Sequence, residues 1–369
     1  MKARQIDSLT SLRGIAAWWV VVFHFRDHIW MPASSWSHLA SYGYLAVDLF
    51  FIMSGFVIQL RYGEMFGRFS LPKFGDFIIT RLARIYPLHL FMCIVYLINP
   101  LAIHFLSHSG EITARYDPTQ YLLGIFLIQA WGFLPAYGWN VPSWSISVEF
   151  AAYLLFPLLC LLIAGAKGRR WIAFGVLMGS SALLALCFTW YGKVSLGDGI
   201  YDIGILRCVF EFVIGMTICH MVQNVTPADV RVARQSSTAV GACALLLFIA
   251  GLYAGLKDYF YVPLCFAGLI YWASLNRGSL IRMLECAPLL SLGEVSYSTY
   301  LCHFFVKDWV LFCFVREQQA PRFAIGLYLG ITLVASYALH RFVELPGQRF
   351  VNDVWSRYRT PLREVCAHD

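Results

Sequence analysis

Residues 11–25 read SLRGIAAWWVVVFHF, an apolar run with one arginine near its start and one histidine near its end. Comparable apolar runs follow along the whole chain. Of its 369 residues, 59% are hydrophobic and only 13% are charged. Soluble domains contain about 25% charged residues. The composition therefore predicts an all-α, polytopic membrane protein. It argues against a soluble enzyme and excludes disordered and collagen-like chains.

The apolar runs are long enough for about ten transmembrane helices. Lysine and arginine indicate how these helices are oriented, because cytoplasmic loops are enriched in both residues. With both termini in the cytoplasm, 20 of the 28 Lys and Arg residues fall on the cytoplasmic side, and this is the orientation we expect. The predicted spans lie at about 10–30, 44–61, 85–106, 145–165, 171–190, 203–222, 238–254, 259–275, 295–315 and 323–343.

One further apolar segment, near 120–134, is too short to span a bilayer. We expect a short re-entrant or interfacial helix there, packed against protein, since bare backbone cannot face lipid. The N-terminal apolar run lacks a small-residue cleavage site, so we expect it to be retained as the first helix. Residues 1–346 are expected to form the transmembrane domain, and 347–369 a basic cytoplasmic tail.

The net charge and the cysteine pattern argue against a nucleic-acid-binding, a zinc-binding or a disulfide-bonded protein. The net charge of +7 follows the predicted cytoplasmic loops, so we expect no nucleic-acid partner. The 11 cysteines are scattered through apolar stretches without a CxxC pair, which indicates neither a zinc site nor a disulfide framework. We therefore expect no metal site and no resident cofactor.

His24 is the first titratable residue that the pattern places at membrane depth. Arg13 precedes it by eleven residues, which puts both side chains on one helix face, about 16 Å apart. A polar residue in a transmembrane segment is costly and suggests a functional site. Histidine is also suited to proton transfer near neutral pH. The alternative is a histidine that hydrogen-bonds between helices beside an arginine that reaches the interface.

Two acidic residues are predicted at a depth similar to that of His24. Asp48 lies near the start of the second span, and Glu149 near the start of the fourth. A carboxylate beside His24 would fix its tautomer and raise its basicity. Either acid alternatively forms a structural ion pair with Arg26 or Arg207.

Further polar residues fall on the third, sixth and ninth predicted spans. Arg81 and Arg84 share one helix face, where they serve as cytoplasmic anchors or as a bidentate phosphate site. Arg207 is expected to pair with Glu211, four residues later. Two stacked residues of the ninth span are candidates for the site, Tyr300 and His303.

Six strings in this order resemble the integral-membrane acyltransferase family 3, bacterial enzymes that O-acylate surface and secreted glycans. The family's arginine, ten residues and histidine fall on Arg13 and His24, and its paired arginines fall on Arg81 and Arg84. The matching strings span nearly the whole chain and lie at 11–24, 47–56, 81–87, 142–150, 296–303 and 344–346.

The resemblance implies acyl-CoA as donor substrate, acetyl-CoA above all. It implies a hydroxyl of a polysaccharide or lipid-linked glycan as acceptor. The phosphates of the donor would bind Arg13, Arg81 and Arg84 on the cytoplasmic side, and the pantetheine arm would run up the groove to His24. The implied location is the bacterial cytoplasmic (inner) membrane.

In this scheme His24 either takes the proton of the acceptor hydroxyl or carries the acyl group covalently. Asp48 or Glu149 would orient its ring. Tyr300 or His303 would contact the bound donor and stabilise the developing oxyanion.

Two alternative functions stay open. The same machinery would serve to acylate a small metabolite or a lipid head group. A different class is a proton-coupled exporter of glycan intermediates that uses its membrane-depth acids as a relay. Such a transporter is expected to show paired repeat halves with broken helices, and the sequence has neither.

Overall fold

The computed structural model describes residues 6–28, 35–106, 114–166, 168–314 and 322–365, and this part of the chain is helical without a β-strand. The α-helices are α1 Asp7–Phe25, α2 Ser35–Ser41, α3 Ala46–Tyr62, α4 Leu71–Tyr96, α5 Ile98–Leu106, α6 Pro118–Ile125, α7 Trp144–Ala164, α8 Arg170–Trp190, α9 Gly204–Gln223, α10 Val230–Ala254, α11 Val262–Leu275, α12 Ser279–Leu284, α13 Ala287–Glu294, α14 Ser296–Phe314, α15 Arg322–Leu339 and α16 Leu345–Val365.

Eight helical segments among the described residues are long and apolar enough to cross a membrane, which confirms a polytopic helical protein. The two remaining predicted spans are also helical but fall short of this standard for different reasons. The helix α11 has only 14 residues. The helix α14 has 19 residues, and polar side chains such as His303, Lys307 and Asp308 lower its hydropathy. The side of the membrane on which the termini lie stays a prediction.

The segment predicted as a helix near 120–134 is helical only in its first part. Asp117 caps α6 by accepting a hydrogen bond from the Gln120 amide at 2.9 Å, and the helix ends at Ile125. Irregular backbone follows up to the 3-10 turn that precedes α7, and part of it, around Leu127, Gln129 and Ala130, is buried in the protein. The Ser147 hydroxyl donates to the Leu127 carbonyl at 2.8 Å, so a side chain of α7 satisfies buried backbone here.

The expected domain boundary at residue 346 lies inside a continuous helical segment. A π-helical turn, His340–Glu344, connects α15 to α16 without a break. Asp76 of α4 accepts a hydrogen bond from the Trp355 indole at 3.0 Å and forms an ion pair with Arg359. The part of the basic tail that is described, up to Val365, therefore begins as a helix packed on α4.

The helices α3 and α9 cross in close contact. A Cβ added at Gly55 would overlap the Phe212 carbonyl, and one added at Gly215 would overlap the Ile52 carbonyl. The two backbones are therefore in direct contact, which only glycine permits at both positions. Burial on both helices is extensive around this crossing.

We predict that Gly215→Ala destabilises the protein by about 1–3 kcal/mol, because the added methyl group forces α3 and α9 apart. Thermal unfolding of the purified protein in detergent measures the effect. Gly179→Ala is the matched control, since nothing lies within 4 Å of a Cβ at that position of α8. Equal unfolding temperatures for the two variants would contradict the close crossing.

Candidate active site

A cavity of about 160 Å³ lies inside the bundle near the end at which α1 begins. It is enclosed by α1, α3, α4, α7 and α14. Apolar side chains of α3 form much of its wall. Its polar lining residues are Arg13, Ser54, Arg81, Arg84, Ser145, Glu149, Tyr153, Ser296, Tyr297 and Tyr300.

The three arginines of the cavity differ in how their charges are compensated. Arg84 forms an ion pair with Glu344, whose second oxygen accepts a hydrogen bond from the Ser298 hydroxyl at 2.6 Å. Arg81 donates to the Tyr62 hydroxyl at 3.2 Å, and Arg13 donates to the Gly293 carbonyl at 3.1 Å.

Arg13 and Arg81 therefore face the cavity with neutral partners. Neither forms an ion pair with a carboxylate of the described residues, and the Nε atom of each is buried without a hydrogen-bond partner there. An arginine taken out of water without a counter-ion is costly. Arg84 is paired with Glu344. Arg13 and Arg81 still outnumber the one carboxylate among the described lining residues, that of Glu149, so the cavity keeps the excess positive charge of an anion site.

Glu149 lies in the same cavity as these arginines. Its carboxylate accepts hydrogen bonds from the Ser54 hydroxyl and, at 2.7 Å, from the Tyr153 hydroxyl. It forms no ion pair with His24 within the described chain. The expectation that Glu149 orients His24 is thus not met, because the helix face that carries Glu149 points to the arginines.

A second cavity, of about 170 Å³, extends the first one toward the start of α1. The two cavities share four lining residues: Arg13, Met53, Val57 and Arg84. The second is also lined by Ile6, the first residue described, and by the exposed Arg61. Together they form a cationic path from that end of the bundle into its interior.

His24 lies at the opposite end of α1 from this path. Its Nδ1 is 3.0 Å from the Val20 carbonyl and 3.2 Å from Nε2 of His303, which is fully buried. His303 Nδ1 is 3.2 Å from the Thr299 carbonyl. The structure therefore places His303 against His24 and away from the arginine cavity.

The carbonyl partners assign the tautomers of both rings, since a carbonyl can only accept a hydrogen bond. His303 Nδ1 carries a proton toward Thr299, so its Nε2 accepts. His24 Nδ1 carries a proton toward Val20 and His303. The remaining nitrogen, His24 Nε2, keeps its lone pair and has no hydrogen-bond partner among the described residues.

The cavity ends at Tyr300 and does not extend to His24. The Tyr300 and His303 rings are 5.8 Å apart and the His303 and His24 rings 5.0 Å apart, so one imidazole separates the cavity wall from His24. The Tyr300 hydroxyl donates to the Pro142 carbonyl and accepts from Ser145, both at 2.9 Å. The hydrogen of the Tyr300 hydroxyl is thus already donated to a carbonyl and is not free to stabilise an oxyanion.

Asp48 is paired with Arg207 and does not orient His24. Nε and Nη2 of Arg207 each donate to one Asp48 oxygen at 2.8 Å, and both side chains are almost fully buried. The expected pairing of Arg207 with Glu211 is therefore wrong. The Glu211 carboxylate is buried beside this pair and has no hydrogen bond in the described chain.

Comparison with known proteins supports an enzyme of acyl transfer. A family model described as "Acyltransferase domain" matches residues 6–341. The chain belongs to this acyltransferase family. It is 27% identical to "Acyltransferase MdmB" of Streptomyces mycarofaciens over 94% of this chain and 92% of that protein.

Two other relatives of this acyltransferase also match across most of its chain. It is 24% identical to "Putative membrane-bound transacylase BcsY" of Komagataeibacter xylinus, over 95% of this chain and 84% of that one. It is 24% identical to "Putative O-acetyltransferase SACOL0978" of Staphylococcus aureus, over 94% of this chain but 58% of that longer protein. No solved structure matches the chain.

Several residues that shape the arginine cavity of the acyltransferase carry no strong signal in its sequence. Ser54, Tyr62 and Tyr153 hold Glu149 and Arg81, and hydroxyl residues in apolar helices are common. The one signal in the sequence is spacing: Ser54 and Tyr153 each lie one helix turn from another residue that lines the cavity. No group of three or more His, Cys, Asp or Glu side chains in the described ranges is arranged to hold a metal ion.

We predict that Arg207→Met lowers the free energy of unfolding of the acyltransferase by about 3–5 kcal/mol, because it strands the buried Asp48 carboxylate. Adding Asp48→Asn should restore part of the loss, since the neutral amide needs no counter-ion. Denaturant unfolding of both variants gives the two values. Asp229→Asn, which removes an exposed pair with Arg170, serves as the control. A single variant as stable as the control would refute the structural assignment of this pair.

Proposed function

We propose that the protein transfers an acyl group, in the first place acetyl, from acyl-CoA to a hydroxyl of a polysaccharide or lipid-linked glycan. The observation that supports this most is the cavity in which Arg13 and Arg81 lack a carboxylate partner. Coenzyme A carries phosphates, and guanidinium groups bind phosphate oxygens in pairs. Arg84, already paired with Glu344, would add hydrogen-bond donors at the same place.

The dimensions of the site agree with a long, thin donor. Arg13 and His24 lie eleven residues apart on α1, which corresponds to about 16 Å along the helix. The phosphates would bind at Arg13, and a flexible arm of this length would present the thioester near His24. The free cavities are small, about 160 and 170 Å³, so donor binding must widen the path beyond Tyr300.

His24 is suited to act as general base in direct attack. Its Nε2 would take the proton of the acceptor hydroxyl as the oxygen attacks the thioester carbonyl carbon. The C–S bond then breaks, and the same proton passes to the departing thiolate of coenzyme A. His303 holds the ring of His24 by accepting from its Nδ1, at 3.2 Å. A covalent acyl-histidine would use the same nitrogen and would form in a separate first step.

The proposed location is the cytoplasmic (inner) membrane of a bacterium, with the arginine cavity facing the cytoplasm, where acyl-CoA is made. The basic loops of the sequence support this orientation. The glycan would then be acylated at the opposite face. No resident cofactor or metal takes part in this scheme.

We predict that Arg81→Ala raises the KM for acetyl-CoA by about ten- to a hundredfold, because a charge-assisted phosphate contact is worth about 1.5–3 kcal/mol. Steady-state transfer from radiolabelled acetyl-CoA by the purified protein measures it. Arg81 is the cleaner choice over Arg84, whose removal also leaves the Glu344 carboxylate buried and unpaired. Arg234→Ala, at an exposed position of α10, is the control. An unchanged KM in a folded Arg81 variant would remove the donor site from this cavity.

We predict that His24→Ala lowers kcat for acetyl transfer by about 10²–10⁴-fold while the KM for acetyl-CoA changes little, since the base acts on the acceptor proton and not on the phosphates. His104→Ala, an exposed histidine of α5, should behave like the parent protein. If the His24 variant keeps full transfer, His24 is not the base and the proposed mechanism fails.

A further inference from the structure

The helix α14 carries residues of three different sites along its length. Ser296, Tyr297 and Tyr300, near its start, line the arginine cavity. His303 follows and contacts His24. The last turns carry Asp308 and Trp309, which line a separate pocket of about 240 Å³. We call it the outer pocket; its polar and aromatic lining residues are Asn99, Arg115, Tyr116, Asp308, Trp309 and Phe312. It lies at the opposite end of the helix from the arginines, with the histidine pair between them.

The outer pocket contains two aromatic rings that are fixed by one buried amide. Asn99 is 6% exposed. Its Oδ1 accepts a hydrogen bond from the Trp309 indole at 3.0 Å, and its Nδ2 donates to the Tyr116 hydroxyl at 3.2 Å. The amide therefore holds both rings in place before any ligand arrives. Phe312 extends the aromatic wall beside Trp309.

Charged groups lie beside these rings. Nη2 of Arg115 donates to Asp308 at 2.5 Å, and Nε of Arg115 donates to the Gly138 carbonyl at 2.7 Å. Burial lowers the pKa of Arg115, but the Asp308 carboxylate outweighs it and raises that pKa above its ordinary value. The pair leaves Nη1 of Arg115 and lone pairs of the Asp308 oxygens available to a ligand.

One aromatic ring, that of Phe304, separates the outer pocket from His24. The Phe304 ring is 5.2 Å from the His24 ring, and the Arg115 guanidinium carbon is 5.5 Å from the Phe304 centroid. Lys307 Nζ lies over the same ring at 3.5 Å and 3.6 Å from Asp308. A ligand held by Asp308 and Arg115 therefore lies one side chain away from the proposed base.

We propose that the outer pocket binds a sugar ring of the acceptor, stacked on Trp309 and hydrogen-bonded by Asp308 and Arg115, so that one of its hydroxyls is directed toward His24. This inference rests on the proposed function and adds where the acceptor binds and through which groups.

The chemistry of the pocket fits a sugar better than other ligands. A sugar ring has an apolar face that packs on an aromatic ring and hydroxyls that pair with carboxylate and guanidinium groups. A plain acyl chain would leave the Arg115–Asp308 pair desolvated without a partner, which is unfavourable. Arg115 and Lys307 would attract a phosphate, but a phosphate has no apolar face to pack on the aromatic rings, and a dianion has no hydroxyl to donate to Asp308.

The test uses the full-length protein in detergent with radiolabelled acetyl-CoA and a panel of p-nitrophenyl glycosides as acceptors. We expect Asp308→Asn and Trp309→Leu to raise the KM for the glycoside at least about tenfold, because each loses a contact worth roughly 1.4 kcal/mol or more. The KM for acetyl-CoA and the acceptor-free hydrolysis of acetyl-CoA should stay unchanged. Asp229→Asn and Trp190→Leu change the same residue types at exposed positions and are the controls.

The possible outcomes separate the two proposals. If the parent protein neither hydrolyses acetyl-CoA nor transfers its acetyl group, the proposed function itself fails. If transfer to a glycoside occurs but both pocket variants match their controls, the pocket is not the acceptor site. The assignment is also overturned if the variants raise the KM for acetyl-CoA by the same factor, which indicates a general structural defect, or if hexanol replaces the glycoside equally well.

Discussion

The cost of holding guanidinium groups inside an apolar bundle governs this structure. Arg207 donates two hydrogen bonds to Asp48, and the carboxylate neutralises its charge. The pair therefore holds α3 against α9. Arg13 and Arg81 are held by a carbonyl and a phenol instead. Their charges are thus left for something that enters the cavity. The same residue type is thus paired with a carboxylate in one place and held by neutral groups in the other, and only the second arrangement leaves charge for the ligand proposed above.

The path between the two ends of the bundle depends on α1, α4 and α14 carrying their polar residues in the same order. Each supplies at least one lining residue of the arginine cavity, and α1 and α14 each supply one histidine farther along. Gly14 of α1 contacts the Gly293 backbone, where any Cβ would overlap. This contact sets α1 beside the α13–α14 connection, and it also brings the Gly293 carbonyl to Arg13. Close packing of two glycines is therefore what aligns Arg13 with the start of α14.

Hydropathy alone predicted most of the fold, because a transmembrane helix is defined by properties of consecutive residues. Residue spacing also predicted that Arg13 and His24 lie well apart along one helix, which α1 confirms. The partners of the acids were not predictable in this way. Depth along a helix follows from counting residues, but the neighbour that a side chain meets depends on helix rotation and lateral order. Asp48 and Glu149 have similar predicted depths, yet one faces Arg207 and the other Ser54 and Tyr153.

Under the proposed function, the arrangement would let one membrane protein use a donor and an acceptor that lie on opposite sides of the bilayer. In the proposed function only the acyl group would have to reach the histidine pair. The arginines at one end would retain the anionic nucleotide, and aromatic and charged groups at the other end would hold the acceptor. Phe304 and Tyr300 close the two approaches to His24 and His303. Such closure matters chemically, since a thioester that meets a base in open water is hydrolysed. A bundle that keeps both rings in place until donor and acceptor are bound favours transfer over loss of the acyl group.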